Sequence, residues 1–340
     1  MPSSSVFTAT EHTASRPHPA GKALQKTEAL AVYRTLLVAR RAEEAIRQEY
    51  GRDEMKTPVH LGIGQEAIPV GVMHVVPPRT KAFGTYRNHA LFLTMTNDAE
   101  RFFGELYGKV TGPGRGKAGS MHLSAPDHGL LATSAVVGTT IPVAVGVALA
   151  NQYRHVDELV VSFFGDGAVE EGVFWESLNF ACLRGLRMLF VCEDNGLAIH
   201  TPVHQRQGFG SLLEVARGFD CAVATADGSD LMSVIDATQA LLGQMQGKPG
   251  LLHCSYFRFL EHVGPREDFD AGYRHKPPAE LLKRADPVAR FEETLVSLGC
   301  TSQELTAVAD EVQVQIAAGI RAAREAPFAP PEELQTDVFA

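Results

Sequence analysis

The 340-residue chain has no apolar run of membrane-spanning length. The nearest candidate, around Ile141 to Ala150, is short and made mostly of small residues, whereas a spanning helix needs about 20 apolar residues. Cysteine is sparse. Five residues, Cys182, Cys192, Cys221, Cys254 and Cys300, form an odd set with no CxxC pair. That excludes a disulfide framework and a cysteine zinc site, and fits a reducing compartment. Basic residues are outnumbered, 31 against 40 acidic, for a formal charge of −9. Arg40 and Arg41, the longest basic cluster, are followed by Glu43 and Glu44, so no basic patch invites nucleic acid. The first 25 residues, rich in Ser, Thr, Ala and Pro, lack the apolar centre of a signal peptide and the arginine enrichment of a transit peptide. These absences describe a cytoplasmic protein that binds neither nucleic acid nor membrane.

What remains is ordinary globular composition, 45% hydrophobic and 21% charged, enough for a full-sized core. Residues 1–26 read as a flexible arm, 27–325 as one α/β domain with helical extensions, and 326–340 as a polar tail. Helical spacing of Leu30, Tyr33, Leu36, Leu37, Ala42 and Ile46 predicts a long amphipathic helix from Thr27 to about Tyr50. Helices are also expected over Gln65 to Val72, Leu91 to Thr94 and Ala99 to Tyr107, with a strand over Lys81 to Tyr86. Gly108 to Gly129 is rich in glycine and reads as a long loop, functional or mobile. A buried small-residue helix follows from Gly138 to Tyr153. Further strands are expected over Cys221 to Thr225 and Leu251 to Phe257, around a helix from Leu231 to Met245, with helices from Pro278 onward.

The middle of the chain carries the chemistry. A β-run, Glu158 to Phe164, stops at Gly165-Asp166-Gly167. A helix from Val169 to about Leu183 leads to a second strand, Met188 to Cys192, which stops at Glu193-Asp194-Asn195. This βαβ unit implies a parallel sheet with helices on both faces. Ligands of such sheets bind beyond the carboxyl ends of the strands. A Gly-Asp-Gly turn alone is a common way to end a strand. Two successive strand ends that each present a hard oxygen donor are not, and Asp166 with Asn195 suits Mg2+, which takes few protein ligands plus phosphate oxygens. Gly167 allows close backbone approach to a diphosphate, and a helix N-terminus beyond it favours negative charge.

The run GDGAVEEGVFWESLNFACLRGLRMLFVCEDN resembles the thiamine diphosphate motif. The 26 residues Ala168 to Glu193 separate GDG from Asp194-Asn195. HLGIGQEAIPVG, TYRNHA, LYGKVTGPGRGKAGSMHLS and VVGTTIPVAVGVALA extend the likeness. In consistent order over about residues 27 to 325, the chain resembles the alpha subunit of the decarboxylating component of 2-oxo acid dehydrogenase complexes, the family of pyruvate, branched-chain and acetoin dehydrogenases. The resemblance implies thiamine diphosphate and Mg2+ as cofactors, with Asp166, Asn195 and the carbonyl of Leu197 as metal ligands. It implies that Gly167 and Ala168 meet the diphosphate by backbone. Tyr86 and Arg87 would grip it, and the backbone of Ala135 and Val137 would hold the aminopyrimidine. His262 would sit by cofactor and substrate, with His89 and His60 nearer the entrance as further catalytic candidates. It also implies a separate beta subunit in an α2β2 heterotetramer, because no beta-like half is present in these residues, and a lipoyl or other acyl-carrier partner.

Three departures stand out. Asp194 replaces the first asparagine of the motif. Phe259-Leu260-Glu261-His262-Val263 lacks the His-Gly-His-Ser run and has no serine after His262, so phosphorylation there is not expected. Leu260-Glu261 alters the loop beside the substrate. Two other activities fit the same cofactor-binding pattern: transketolase-like transfer of a two-carbon unit from a ketose to a carrier protein, and a catalytically inert diphosphate-binding subunit. No GxGxxG follows a strand, which argues against a nicotinamide dehydrogenase.

Overall fold

A computed structural model describes residues 24–336. Most of the expected N-terminal arm, and residues 337–340 of the expected tail, lie outside the described residues.

Six parallel strands form the central sheet in the order β2-β1-β3-β4-β8-β7. They are β1 Lys81–Thr85, β2 Leu130–Ser134, β3 Val160–Gly165, β4 Met188–Asp194, β7 Ala222–Asp227 and β8 Gly250–Ser255. A small antiparallel hairpin, β5 Leu197–Ala198 with β6 Thr201–Pro202, stands apart from it. The central strands are buried on both faces, so they read as nearly continuous apolar runs. Successive side chains still go to opposite sides. Val161, Phe163, Leu189 and Val191 join one core, whereas Val160, Phe164, Met188 and Phe190 join the other.

The first core is roofed by α1 Lys26–Glu49, α2 Ala67–Val75, α3 His89–Thr96 and α8 Leu231–Gln244; the second by α5 Thr140–Tyr153, α6 Gly172–Arg184 and the short α7 Leu212–Ala216. α4 Ala99–Leu106 packs against α11 Ser302–Glu325, which also lies along α1; α10 Pro287–Ser297 packs on α1, with the short α9 Ala279–Arg284 against α10. Among the described residues five helices start on a side chain that accepts first-turn N–H groups: Asp98, Ser211, Asp230, Asp286 and Thr301, the last in a reciprocal capping box with Glu304.

The structure departs from the expectations in four places. β2 was hidden behind the glycine-rich segment, because Leu130 to Ser134 shows no clean alternation of burial. That segment is tied down rather than loose. Glu105, itself buried, accepts N–H groups from Gly114, Gly116, Ala118 and Gly119 at 2.7, 3.2, 2.7 and 3.0 Å. α6 starts at Gly172 rather than Val169, because Asp166–Glu170 forms a 3-10 turn and Glu171 is extended. The described part of the tail folds back on the glycine-rich segment: Glu333 pairs with Arg115, and Lys117 donates to the Thr336 carbonyl at 3.1 Å.

Candidate active site

Parallel register brings the ends of β3 and β4 level. Gly165 lies opposite Glu193, so Asp166 and Asn195 leave the sheet at the same edge. The backbone N–H of Asn195 favours the charged form of the Asp166 carboxyl. Both residues line a cavity of about 280 Å³, together with Tyr86, Arg87, Val137, Gly167, Ala168, Leu197 and His262. Nine of the sequence-predicted positions therefore share one cavity. Ala135 lies between Ser134 and Val136, which line it, but is not itself part of the lining.

The three histidines separate. His262 lines the cavity and takes Nη2 of Arg87 on its Nδ1 at 3.0 Å and on its carbonyl at 2.9 Å. His60 stands behind it, its ring centroid 4.4 Å from that of Tyr86 and 5.1 Å from that of His262, with Nδ1 buried and unpartnered. His89 is outside the lining and 1% exposed, with one ring nitrogen 3.0 Å from Glu43 and the other 3.2 Å from the Ser120 carbonyl. That is a scaffold position between α1 and the glycine-rich segment.

Electrostatics favour a cation at the strand ends. Burial first, and the Asp194 charge second, push the Asp166 carboxyl up to about 6, against the pull of Arg206 and the Asn195 N–H. Arg206, from the segment after β6, pairs with both Asp166 and Glu170. Burial, then the charge of Arg87, lowers His60 and His262 to about 3, so both are neutral at physiological pH. Glu193, fully buried on the cavity wall, is pushed up to about 7 by burial while Asn88 donates to it at 2.9 Å.

Sequence reasoning missed Arg206, Tyr256, Glu193 and the clamp on the His262 loop. In that clamp Arg258, 2% exposed, donates to Leu260 O, Ile199 O and the Tyr273 hydroxyl at 3.0, 3.0 and 2.8 Å. Arg274 reaches Asp268 and Leu260 O at 2.7 and 3.0 Å. Ile199, on the cavity rim, holds φ at 55°, unusual for a β-branched residue, and its carbonyl is one of the Arg258 acceptors. At Gly167 space is tight, since a Cβ there would lie 3.0 Å from that of Ala198.

The donor set fits a diphosphate-bound magnesium. Oδ1 of Asn195 is buried without a hydrogen-bond partner, and Asp166 is a buried carboxylate beside it. Among the described residues no three His, Cys, Asp or Glu side chains gather into an all-protein metal cage. An ion that takes one carboxylate, one amide oxygen and phosphate oxygens needs no such cage.

Residues 34–332 match the family described as "Dehydrogenase E1 component". The chain belongs to the dehydrogenase E1 component family. Its E1 relatives include the alpha subunit of acetoin:2,6-dichlorophenolindophenol oxidoreductase from Cupriavidus necator, 32% identical over 93% of this chain and 95% of that one. The pyruvate dehydrogenase E1 component subunit alpha of Zymomonas mobilis is 30% identical over 95% and 92%. A second acetoin oxidoreductase alpha subunit, from Bacillus subtilis, is 29% identical over 94% and 96%. The chain is thus an E1 alpha-type subunit of the thiamine diphosphate-dependent oxidoreductases, with the six-stranded parallel α/β fold expected of one. No helix among the described residues is long and apolar enough to cross a membrane.

Proposed function

We propose that this E1 alpha subunit binds thiamine diphosphate through Mg2+ held by Asp166, Asn195 and the carbonyl of Leu197. With a separate beta subunit it decarboxylates a 2-oxo acid and passes the acyl unit to a lipoyl or other carrier. The observation that carries the ion site is the unpartnered Oδ1 of Asn195 beside buried Asp166.

When bound, the cofactor supplies a nucleophilic ring carbon and an electron sink for carbon–carbon cleavage. The chain's own residues bind, orient and screen. The main chain at Gly167 and Ala168, the Tyr86 hydroxyl and Arg87 serve the diphosphate end, and the backbone at Ala135 and Val137 the aminopyrimidine. Three contacts, to Leu61 O, His262 O and His262 Nδ1, occupy Arg87, leaving part of its five-donor fork for phosphate. His262, neutral and with Nδ1 taken by Arg87, carries its proton on Nε2 and donates a hydrogen bond beside the substrate. His60 and His89 support it, the first by ring packing and the second through the scaffold.

The beta subunit is expected to cover the outer face of α5 and α6 and the cavity mouth. Val136 is 62% and Leu183 77% exposed there, and Val143, Tyr153 and Phe180 extend the apolar surface. A Cβ on Gly146 would meet nothing, so a second backbone can come close. The acid that activates the aminopyrimidine is assigned to that partner, giving an α2β2 assembly.

Co-expression with a beta-type partner, followed by assays with pyruvate, branched 2-oxo acids, acetoin and ketoses, tests this reading. Release of CO2 from a 2-oxo acid with reduction of an electron acceptor supports it. Acetoin cleavage places the chain with its relatives of that name. Ketose turnover without CO2 selects two-carbon transfer. Cofactor binding with no turnover of any donor selects an inert subunit.

A further inference from the structure

The turn that ends β4 is held from one side by β8 and the residue after it. Cys192 and His253 are partners in the β4–β8 ladder, which sets His253 beside Asp194. Nε2 of His253 lies 2.8 Å from Oδ2 of Asp194. Oδ1 of the same carboxylate accepts the N–H of Gly196 at 2.7 Å, where φ is 76°. One residue past β8, the Tyr256 N–H donates to the Asp194 carbonyl at 2.8 Å. The Tyr256 hydroxyl accepts from Nδ2 of Asn195 at 3.1 Å.

Asn195 is therefore bracketed. Its neighbours on both sides, Asp194 and Gly196, are tied together by the Asp194 carboxylate. Its amide nitrogen is spent on Tyr256. An amide has one donating and one accepting end, and a hard cation takes only the oxygen. With the nitrogen engaged, the oxygen is the end left to the cavity, and it is buried without a partner.

We infer that His253 and Tyr256 are positioning residues for the ion site: through Asp194 and the Asn195 amide they fix the turn so that Oδ1 of Asn195 points into the cavity. This rests on the reading of Asn195 as an ion ligand. It also gives Asp194, the departure from the paired-asparagine motif, a task of its own. The aspartate clamps the turn, one oxygen taking the Gly196 N–H and the other lying against Nε2 of His253. Outer partners of metal ligands commonly govern affinity in this way.

The test uses the full chain assembled with its beta-type partner. Binding of thiamine diphosphate is followed by equilibrium dialysis as Mg2+ is varied. Tyr256→Phe, which removes one oxygen, is expected to raise the Mg2+ concentration for half-saturation about three- to tenfold, the effect of one net hydrogen bond. Excess Mg2+ then restores full occupancy. Asp194→Ala shifts the curve the same way, and Asp194→Asn, which keeps an acceptor for Gly196, recovers most of the loss. The cofactor-free thermal midpoint of Tyr256→Phe stays near wild type; a merely structural role would lower that midpoint and leave the Mg2+ requirement alone. Unchanged half-saturation in Tyr256→Phe, with Asp166→Ala still abolishing Mg2+-dependent binding, overturns the brace and spares the ion site. Wild-type binding that ignores Mg2+ overturns both.

Discussion

Asp166 and Arg206 form a buried ion pair, with side chains 4% and 6% exposed. Arg206 also pairs with Glu170, and its Nε donates to the Thr201 carbonyl at 2.8 Å. One guanidinium thus joins the turn after β3 to the segment after β6 and answers the charge of Asp166. Removing one partner of a buried pair is costly because the other is left charged and unanswered. Asp166 keeps the Asn195 N–H, so the lower end of the usual range, about 3 kcal/mol, is expected for Arg206→Gln without cofactor. Denaturant unfolding measures it. Thiamine diphosphate with Mg2+ should restore most of the loss by giving Asp166 another cation. A variant as stable as wild type would show that the pair does not organise the site.

The neutral histidines set a pH dependence. His60 and His262 bind a proton at about 3 in the folded chain, against 6.5 as the ordinary value. Burial is the first cause for both. The charge of Arg87 is the second, joined by His262 and His89 around His60, and by Arg258 and His200 around His262. The unfolded chain takes up these protons first as pH falls, so the stability is complete above about pH 6.5 and is lost progressively toward pH 3. The unfolding midpoint should fall between pH 7.5 and pH 5, and His60→Asn with His262→Asn should flatten that fall. Parallel profiles for wild type and the double variant would contradict the assignment.

Assembly is testable at Gly146. Open space around it means that Gly146→Arg leaves the fold of the chain intact, while a long charged side chain obstructs close packing of a second subunit. Co-purification with the beta-type partner is expected to fail for Gly146→Arg, with circular dichroism unchanged. Normal assembly would move the interface elsewhere.

How much of this was legible in the residues varies by scale. The βαβ unit was plain, because β3 and β4 are buried on both faces and therefore read as unbroken apolar runs. The βαβ topology put the ends of β3 and β4 on one edge, side by side or one strand apart, and the strand pairing makes them direct neighbours. β2 was not visible, since a short edge strand after a glycine-rich segment leaves neither alternation nor an apolar run. Nor could spacing show that Glu105 gathers that segment, that Arg206 returns to Asp166 across 40 positions, or that His89 spends both nitrogens on structure. Such pairings depend on long-range packing, which a local pattern does not encode. The Asp194 substitution was visible in the sequence, but its meaning appeared only when β8 placed His253 beside it.

The most direct measurement is thiamine diphosphate affinity of the assembled protein, with and without Mg2+, for wild type and Asp166→Ala. The account predicts Mg2+-dependent binding in wild type and a loss of roughly 100-fold or more in the variant, at or beyond the effect of an outer-sphere change. The variant should stay folded at a stability cost no larger than that of Arg206→Gln, because Glu170 still answers Arg206 once Asp166 is gone. Equal affinity in the two proteins, or binding indifferent to Mg2+, would contradict it.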